Sequence, residues 1–128
     1  MEIAERKIVK TKRTNMKLQY SQKKEPKIHF LFMEGDLIGD DAGPRLAELV
    51  NDSVEEGIKI LVIDLEKVRY ISSSGLGLLI TLLTKMKNAG GELFLTAPSE
   101  HVKKLLIITK LNGIFKVHDS VDELTAQL

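Results

Sequence analysis

Apolar and polar positions change their period several times along the chain, and each change marks an element. Met16-Lys17-Leu18-Gln19-Tyr20 alternates, as a half-buried strand does. Ser21 to Pro26 is a polar, lysine-rich turn, and Ile28 to Met33 (IHFLFM) is more continuously apolar. The two runs predict a hairpin whose second strand lies deeper in a sheet. Asp40 and Asp41 stand before Ala42-Gly43-Pro44, which suits a helix start: carboxylates cap free amides and proline fits the first turn. Leu46, Leu49, Val50 and Val54 then keep a helical period up to Gly57. Ile58 to Leu65 (IKILVIDL) is apolar and β-branched, as a strand covered on both faces should be. A second helix follows Ser72 to Gly77 and runs to about Ala89, where Gly90-Gly91 stops it. Glu92 to Thr96 is a strand, Pro98-Ser99 opens a third helix carrying Val102, Leu105 and Leu106, and Asn112-Gly113 turns the chain. Ile114 to Val117 is a short last strand, and Ser120 or Asp119 caps a closing helix through Leu124. The order ββαβαβαβα predicts an α/β domain with a mixed, mainly parallel sheet. Residues 1–15 have weak periodicity and read as a basic tail or a short helix, leaving 16–128 as the domain.

At 128 residues the chain suits one domain whose core needs no staple. It has no cysteine, which excludes disulfides, thiol chemistry and cysteine metal sites. The stretch Leu76 to Leu83 is far shorter than the ~20 residues of a membrane span, and no apolar signal core opens the chain. These features place the protein in the cytoplasm by expectation, without a membrane span. Charge is uneven: residues 1–24 carry eight Lys/Arg against two Glu, whereas residues 25–128 carry eleven against sixteen Asp/Glu. A basic head on an acidic body can meet nucleic acid or an anionic surface. Here the charges form no dense block, no aromatic is interleaved before Tyr20, and aromatics total 5% with no Trp. No direct nucleic-acid partner is expected, and a solvated tail is the simpler reading.

Catalytic raw material is scarce. His29, His101 and His118 have no second histidine three or four residues away, so neither a metal nor another cofactor is expected. His29 reads as facing solvent or filling a strand position, and Asp64 as a strand-end carboxylate that binds a nearby amide or caps a turn. Ser72-Ser73-Ser74-Gly75-Leu76-Gly77 differs, because three hydroxyls and two glycines precede an apolar helix. It can be a serine N-cap, an anion cradle, or a regulatory serine that itself receives a phosphate. The lysine of a GxxxxGK[ST] phosphate loop is missing, which weakens the second reading and any nucleotide-handling enzyme built on it. Along the helix, Leu76, Leu79, Ile80 and Leu83 form one stripe, and Leu78 and Leu82 another. Such a helix is packed from two directions or exposes a docking patch.

The stretch from Leu61 to Leu124 resembles the STAS domain in its bacterial anti-sigma factor antagonist form. The residues that carry the resemblance are Asp64-Leu65, Tyr70 to Gly77, Gly90-Gly91, Val102 to Leu105 and Leu111 to Phe115. Gly35-Asp36-Leu37 matches the family's Gly-Glu-Leu before its first helix, and the likeness extends over about residues 16–128. It implies a non-enzymatic partner-switching regulator that binds a serine kinase anti-sigma factor and thereby releases a sigma factor. The kinase would phosphorylate Ser73 and a PP2C-type phosphatase would restore it. Ser72, Ser74, Gly75, Leu76, Leu78, Asp40 and Asp41 would then lie at or near the partner surface, on a monomer or weak dimer. The family has Asp where this chain has Ser72, a loss of one charge and one acceptor. The alternative is an unphosphorylated STAS adaptor subunit of a stress-sensing or lipid-transport complex.

Overall fold

A computed structural model describes residues 7–10, 18–38 and 43–128. Strand β1 (Lys7–Lys10) pairs antiparallel with β2 (Leu18–Glu25), and β2 antiparallel with β3 (Ile28–Leu37). The chain continues through α1 (Gly43–Glu55), β4 (Ile60–Ile71), α2 (Ser73–Asn88), β5 (Glu92–Thr96) and α3 (Glu100–Ile108). A 3-10 turn, Leu111–Gly113, leads to β6 (Lys116–His118) and α4 (Val121–Thr125). The sheet runs β1-β2-β3-β4-β5-β6, with β3 to β6 parallel. Parallel crossovers share one hand, so consecutive neighbours send their helices to the same side. Leu46 and Val50 of α1, Leu79 and Leu82 of α2, and Val102 and Leu106 of α3 accordingly share one core with Leu31, Leu61 and Ile63. The other face carries a smaller cluster, Phe30, Val62 and Leu124, with Phe32 and Phe94 against it.

The predicted α/β order holds, with three differences of extent. Part of the segment read as tail or short helix forms strand β1 on the edge of the sheet. Strand β2 runs on through the lysines taken for a turn, and only Pro26-Lys27 bends, with Lys27 at φ 71°. A polar stretch survives as strand because Lys23 lays its Nζ 4.6 Å from the centre of the Phe30 ring and pairs with Glu25 at 3.9 Å. Strand β4 continues to Ile71, burying Val68 and Ile71 where the periodicity is irregular, because β3 shifts register after Phe32 and after Gly35.

A buried polar pair, His29 and Ser53, lies where β3 packs against α1. His29 fills an inward position of β3 with no exposure, its Nδ1 2.5 Å from Ser53 Oγ of α1 and its Nε2 2.8 Å from Gln22 Oε1 of β2. In a neutral ring Nε2–H donates to Gln22, and the one Ser53 hydroxyl proton is shared between Nδ1 and Leu49 O, 3.1 Å from the Ser53 oxygen. Burial first, and then Lys24 nearby, lower its pKa from 6.5 to about 4, against a smaller opposing pull from Glu56.

Candidate functional site

The site is built where β3 and β4 end side by side and α2 begins. The Ser72 amide donates to Leu37 O at 3.0 Å, which ties the start of α2 to the end of β3. Ser72 has extended backbone, φ −81° and ψ 172°, and its Oγ accepts the Gly75 amide at 3.0 Å. It is therefore the N-cap of α2, the same work an aspartate does at such a position. Its hydroxyl also donates to Ile38 O at 2.9 Å, and Ser74 Oγ donates to that same carbonyl. The two hydroxyls lie 2.9 Å apart. Ser72 and Ser74 are thus turned inward to hold the β3 end.

Ser73 is left over. It is exposed at the first helical position, and its hydroxyl makes no hydrogen bond among the described residues. The first-turn amides precede any intrahelical acceptor and form the positive end of a 16-residue helix. An anion attached to Ser73 would meet favourable dipole and donors, and no acidic side chain lies in that first turn.

Gly75 is fixed by contact rather than by φ. A Cβ there would lie 2.2 Å from Leu37 O and 3.1 Å from Ile71 Cγ2. Backbone on one side cannot yield, so Gly75→Ala should force α2 away from β3. We expect a loss of about 1–3 kcal/mol in urea unfolding, the range of overpacked cores. An unchanged midpoint would mean the helix start tolerates displacement.

Of the residues expected at a partner surface, the structure divides the set. Ser73 and Ser74 are exposed, Ser72 is half-buried, and Gly75 is buried. Leu76 and Leu78 are corrections: both are buried in the main core, and a Cβ on Gly43 at the start of α1 would meet Leu78 at 3.8 Å. Packing from two directions is what the doubled leucine stripe reflects, with Leu79, Leu82, Leu83 and Met86 buried as well. Asp40 and Asp41 lie outside the described residues. The surface that α2 does present runs at helical spacing through Ser73, Gly77, Ile80, Thr81 and Thr84, all exposed. Tyr70, 49% exposed, stands two residues before the cap. The sequence signal for this stripe was available in the i, i+4, i+7 spacing from Ser73, but the leucines drew attention to the opposite side.

The remaining candidates have structural surroundings. Asp64, buried on the second sheet face, accepts a hydrogen bond from Thr96 Oγ1 at 2.8 Å. His118 Nδ1 sits 3.3 Å from Glu123 Oε1, with its ring 5.7 Å from that of Phe94. His101 is exposed on α3. Among the described residues no three His, Asp or Glu side chains converge to hold a metal ion, and no helix is long and apolar enough to cross a membrane. A concavity of about 770 Å³ lies on the second sheet face, between Lys23, Phe32, Asp64 and Val121. No residue of the Ser72–Gly77 loop lines it, so the loop is a surface feature rather than the mouth of that cavity.

Known proteins share this arrangement. A Thermotoga neapolitana protein described as a candidate anti-sigma factor antagonist is 30% identical over 73 residues, 57% of this chain and 65% of that protein. The chain thus spans about 65% of the length of the Thermotoga relatives it matches. An anti-sigma-B factor antagonist of Staphylococcus aureus is 28% identical over 79 residues, 62% of this chain and 73% of its own. A crystal structure from Thermotoga maritima superposes with TM-score 0.75 at 24% identity, covering 84% of this chain and 92% of that one. The Bacillus protein SpoIIAA in its phosphorylated form superposes with TM-score 0.67 at 16% identity, covering 84% and 97%. The STAS domain model matches residues 20–124, from the middle of the first hairpin to the last helix. With that span matched and the fold shared, the chain belongs to the STAS domain family.

Proposed function

We propose that this protein is an anti-sigma factor antagonist: it binds a serine kinase anti-sigma factor through the exposed stripe of α2 and is released when Ser73 is phosphorylated. The observation that carries the reading is the division of labour among three adjacent serines. Ser72 caps the helix, Ser74 holds Ile38 O, and of the three Ser73 alone has an exposed hydroxyl with no hydrogen bond among the described residues. Ser72 supplies the capping acceptor that an aspartate would supply, so its presence removes a charge without removing the helix start. In the reaction Ser73 Oγ attacks the γ-phosphorus of ATP, loses its proton, and ADP leaves; the kinase provides the catalytic groups. A phosphate brings about −1.5 to −2 charges to a stripe otherwise made of Gly77, Ile80 and threonine hydroxyls. The relatives named above as anti-sigma factor antagonists support the partner class, and a PP2C-type phosphatase would reverse the modification.

Intact mass after incubation with ATP and the serine kinase anti-sigma factor of the same genome tests this. Wild type should gain one phosphate and Ser73→Ala none. A stable complex without phosphate transfer would instead favour the constitutive adaptor reading, for which the charge lost at Ser72 is the motivating feature.

Gly77 gives an independent check of the stripe. It is exposed within α2, and a Cβ there meets nothing within 4 Å. Gly77→Ala should therefore stabilise the isolated protein by about 0.4–1 kcal/mol, since the helix gains and nothing clashes. If a partner lies flat on this stripe, the same methyl weakens the complex. Equal affinity of wild type and Gly77→Ala by calorimetry would move the interface elsewhere.

A further inference from the structure

We propose a second docking surface, formed by the outer face of α3 and the turn after it, for an acidic amphipathic helix of a partner protein. It rests on residues that the Ser73 reading does not use. Residues 101–118 contain four lysines and no carboxylate, whereas residues 25–100 and 119–128 together hold seven Lys/Arg and sixteen Asp/Glu. Residues 67–91, with four Lys/Arg and no carboxylate, are the other such stretch, and the rest of the body is acidic.

Two of those lysines are already engaged. Lys103 pairs with Glu100 at 3.6 Å and Asp119 at 3.7 Å, and Lys116 with Glu92 at 3.4 Å. Lys104 and Lys110 have no ion-pair partner among the described residues, and both are exposed. Lys104, Ile107 and Ile108 follow helical spacing along one side of α3, opposite the buried Val102 and Leu106. Ile107 is 59% exposed and Ile108 77%, and Ile114, 49% exposed, follows in the turn. Three large isoleucines in water within eight residues, set between free lysines, are a concentrated apolar patch with a positive frame.

The chemistry selects the occupant. The apolar stripe fits the leucine face of a helix, and the two free ammonium groups fit carboxylates flanking that face. A flat anionic membrane fits less well, because its plane would also meet exposed Glu100 and Asp119, which flank Lys103 of the same helix. A second copy of this chain would bring a net −5 body against another over residues 25–128. A single narrow helix can set its carboxylates at Lys104 and Lys110 alone, which neither a membrane plane nor a whole acidic body can do.

The test uses the full chain, isotope-labelled for NMR, and a synthetic capped helix of about 18 residues with a leucine stripe flanked by glutamates. Amide shifts should saturate and centre on residues 104–114. Lys104→Glu with Lys110→Glu should weaken binding about tenfold or more, and so should raising salt from about 50 to about 300 mM. Ile108→Ser should weaken it while leaving the spectrum of the free protein dispersed. The same peptide with lysines in place of glutamates should not bind. Shifts centred on Ser73 to Thr84, an affinity indifferent to both variants, or no saturable binding would overturn the proposal. So would capture of the protein by phosphatidylglycerol vesicles, or self-association at the patch, with the peptide inert. None of these results bears on phosphate transfer to Ser73, which the mass experiment reads separately.

Discussion

Ser73→Glu should abolish binding to the serine kinase anti-sigma factor while leaving the melting temperature of the free protein unchanged or slightly raised. The two halves of that result come from the same charge. In the free protein a carboxylate at the first position of α2 faces the positive end of a 16-residue helix, worth about 0.3–1 kcal/mol in its favour. No hydrogen bond of the fold is lost, because the Ser73 hydroxyl makes none among the described residues. Under a partner, the same carboxylate is buried beside Gly77 and Ile80 with water excluded. An unpaired charge taken from water there costs several kcal/mol, and a loss of about 3–4 kcal/mol weakens a complex several-hundred-fold. Ser73→Ala, which adds no charge, should bind nearly as wild type. Calorimetric titration of the three forms beside their thermal melts reads both halves. A complex with Ser73→Glu within threefold of wild type would show that the stripe is not covered.

The second large effect is a loss of stability in mild acid that comes from His29. Its folded pKa is about 4 and its unfolded value 6.5, so the unfolded chain binds the proton more readily. The neutral ring's contribution is complete above about pH 6.5 and falls as pH drops toward 4, to a total of about 3 kcal/mol. Some 2 kcal/mol of this should be gone by about pH 5, above the range in which most carboxylates titrate. Urea unfolding at about pH 7.5 and pH 5 measures it. His29→Gln should be less stable than wild type at the higher pH, since Ser53 and Gln22 lose a fitted partner. Its stability should also change little between the two values. A variant that keeps the full acid dependence would place the titrating group elsewhere.

What the chain disclosed in advance follows from which forces are local. The helices announced themselves because their caps and stops are neighbours in sequence: Ser72 with Gly75, Ser99 with Val102, Ser120 with Glu123, and Gly90-Gly91 closing α2. The three-serine loop stands out for the same reason. Strand β1 and the lysine half of β2 stayed hidden, since near an edge the pairing is made by backbone and the side chains remain charged. The buried state of His29 was equally invisible, because Gln22 and Ser53 come from two other elements. Leucines 76 and 78 were misplaced for a related reason. Periodicity tells which residues share a side of a helix, but only the position of α1 beside α2 decides that this side is covered.

The sheet lays down its strands in the order in which they are synthesised, each beside the one before it. No strand waits for a later one to be inserted between itself and its neighbour. The parallel pairs still close over long stretches, Ile28 with Ile60 and Ile60 with Glu92, so it is the order of pairing and not its range that suits folding during synthesis. The carbonyls of Leu37 and Ile38, which anchor the three-serine turn, precede that turn in the chain. Ser73 can therefore take up its presented position while residues 89–128 are still leaving the ribosome.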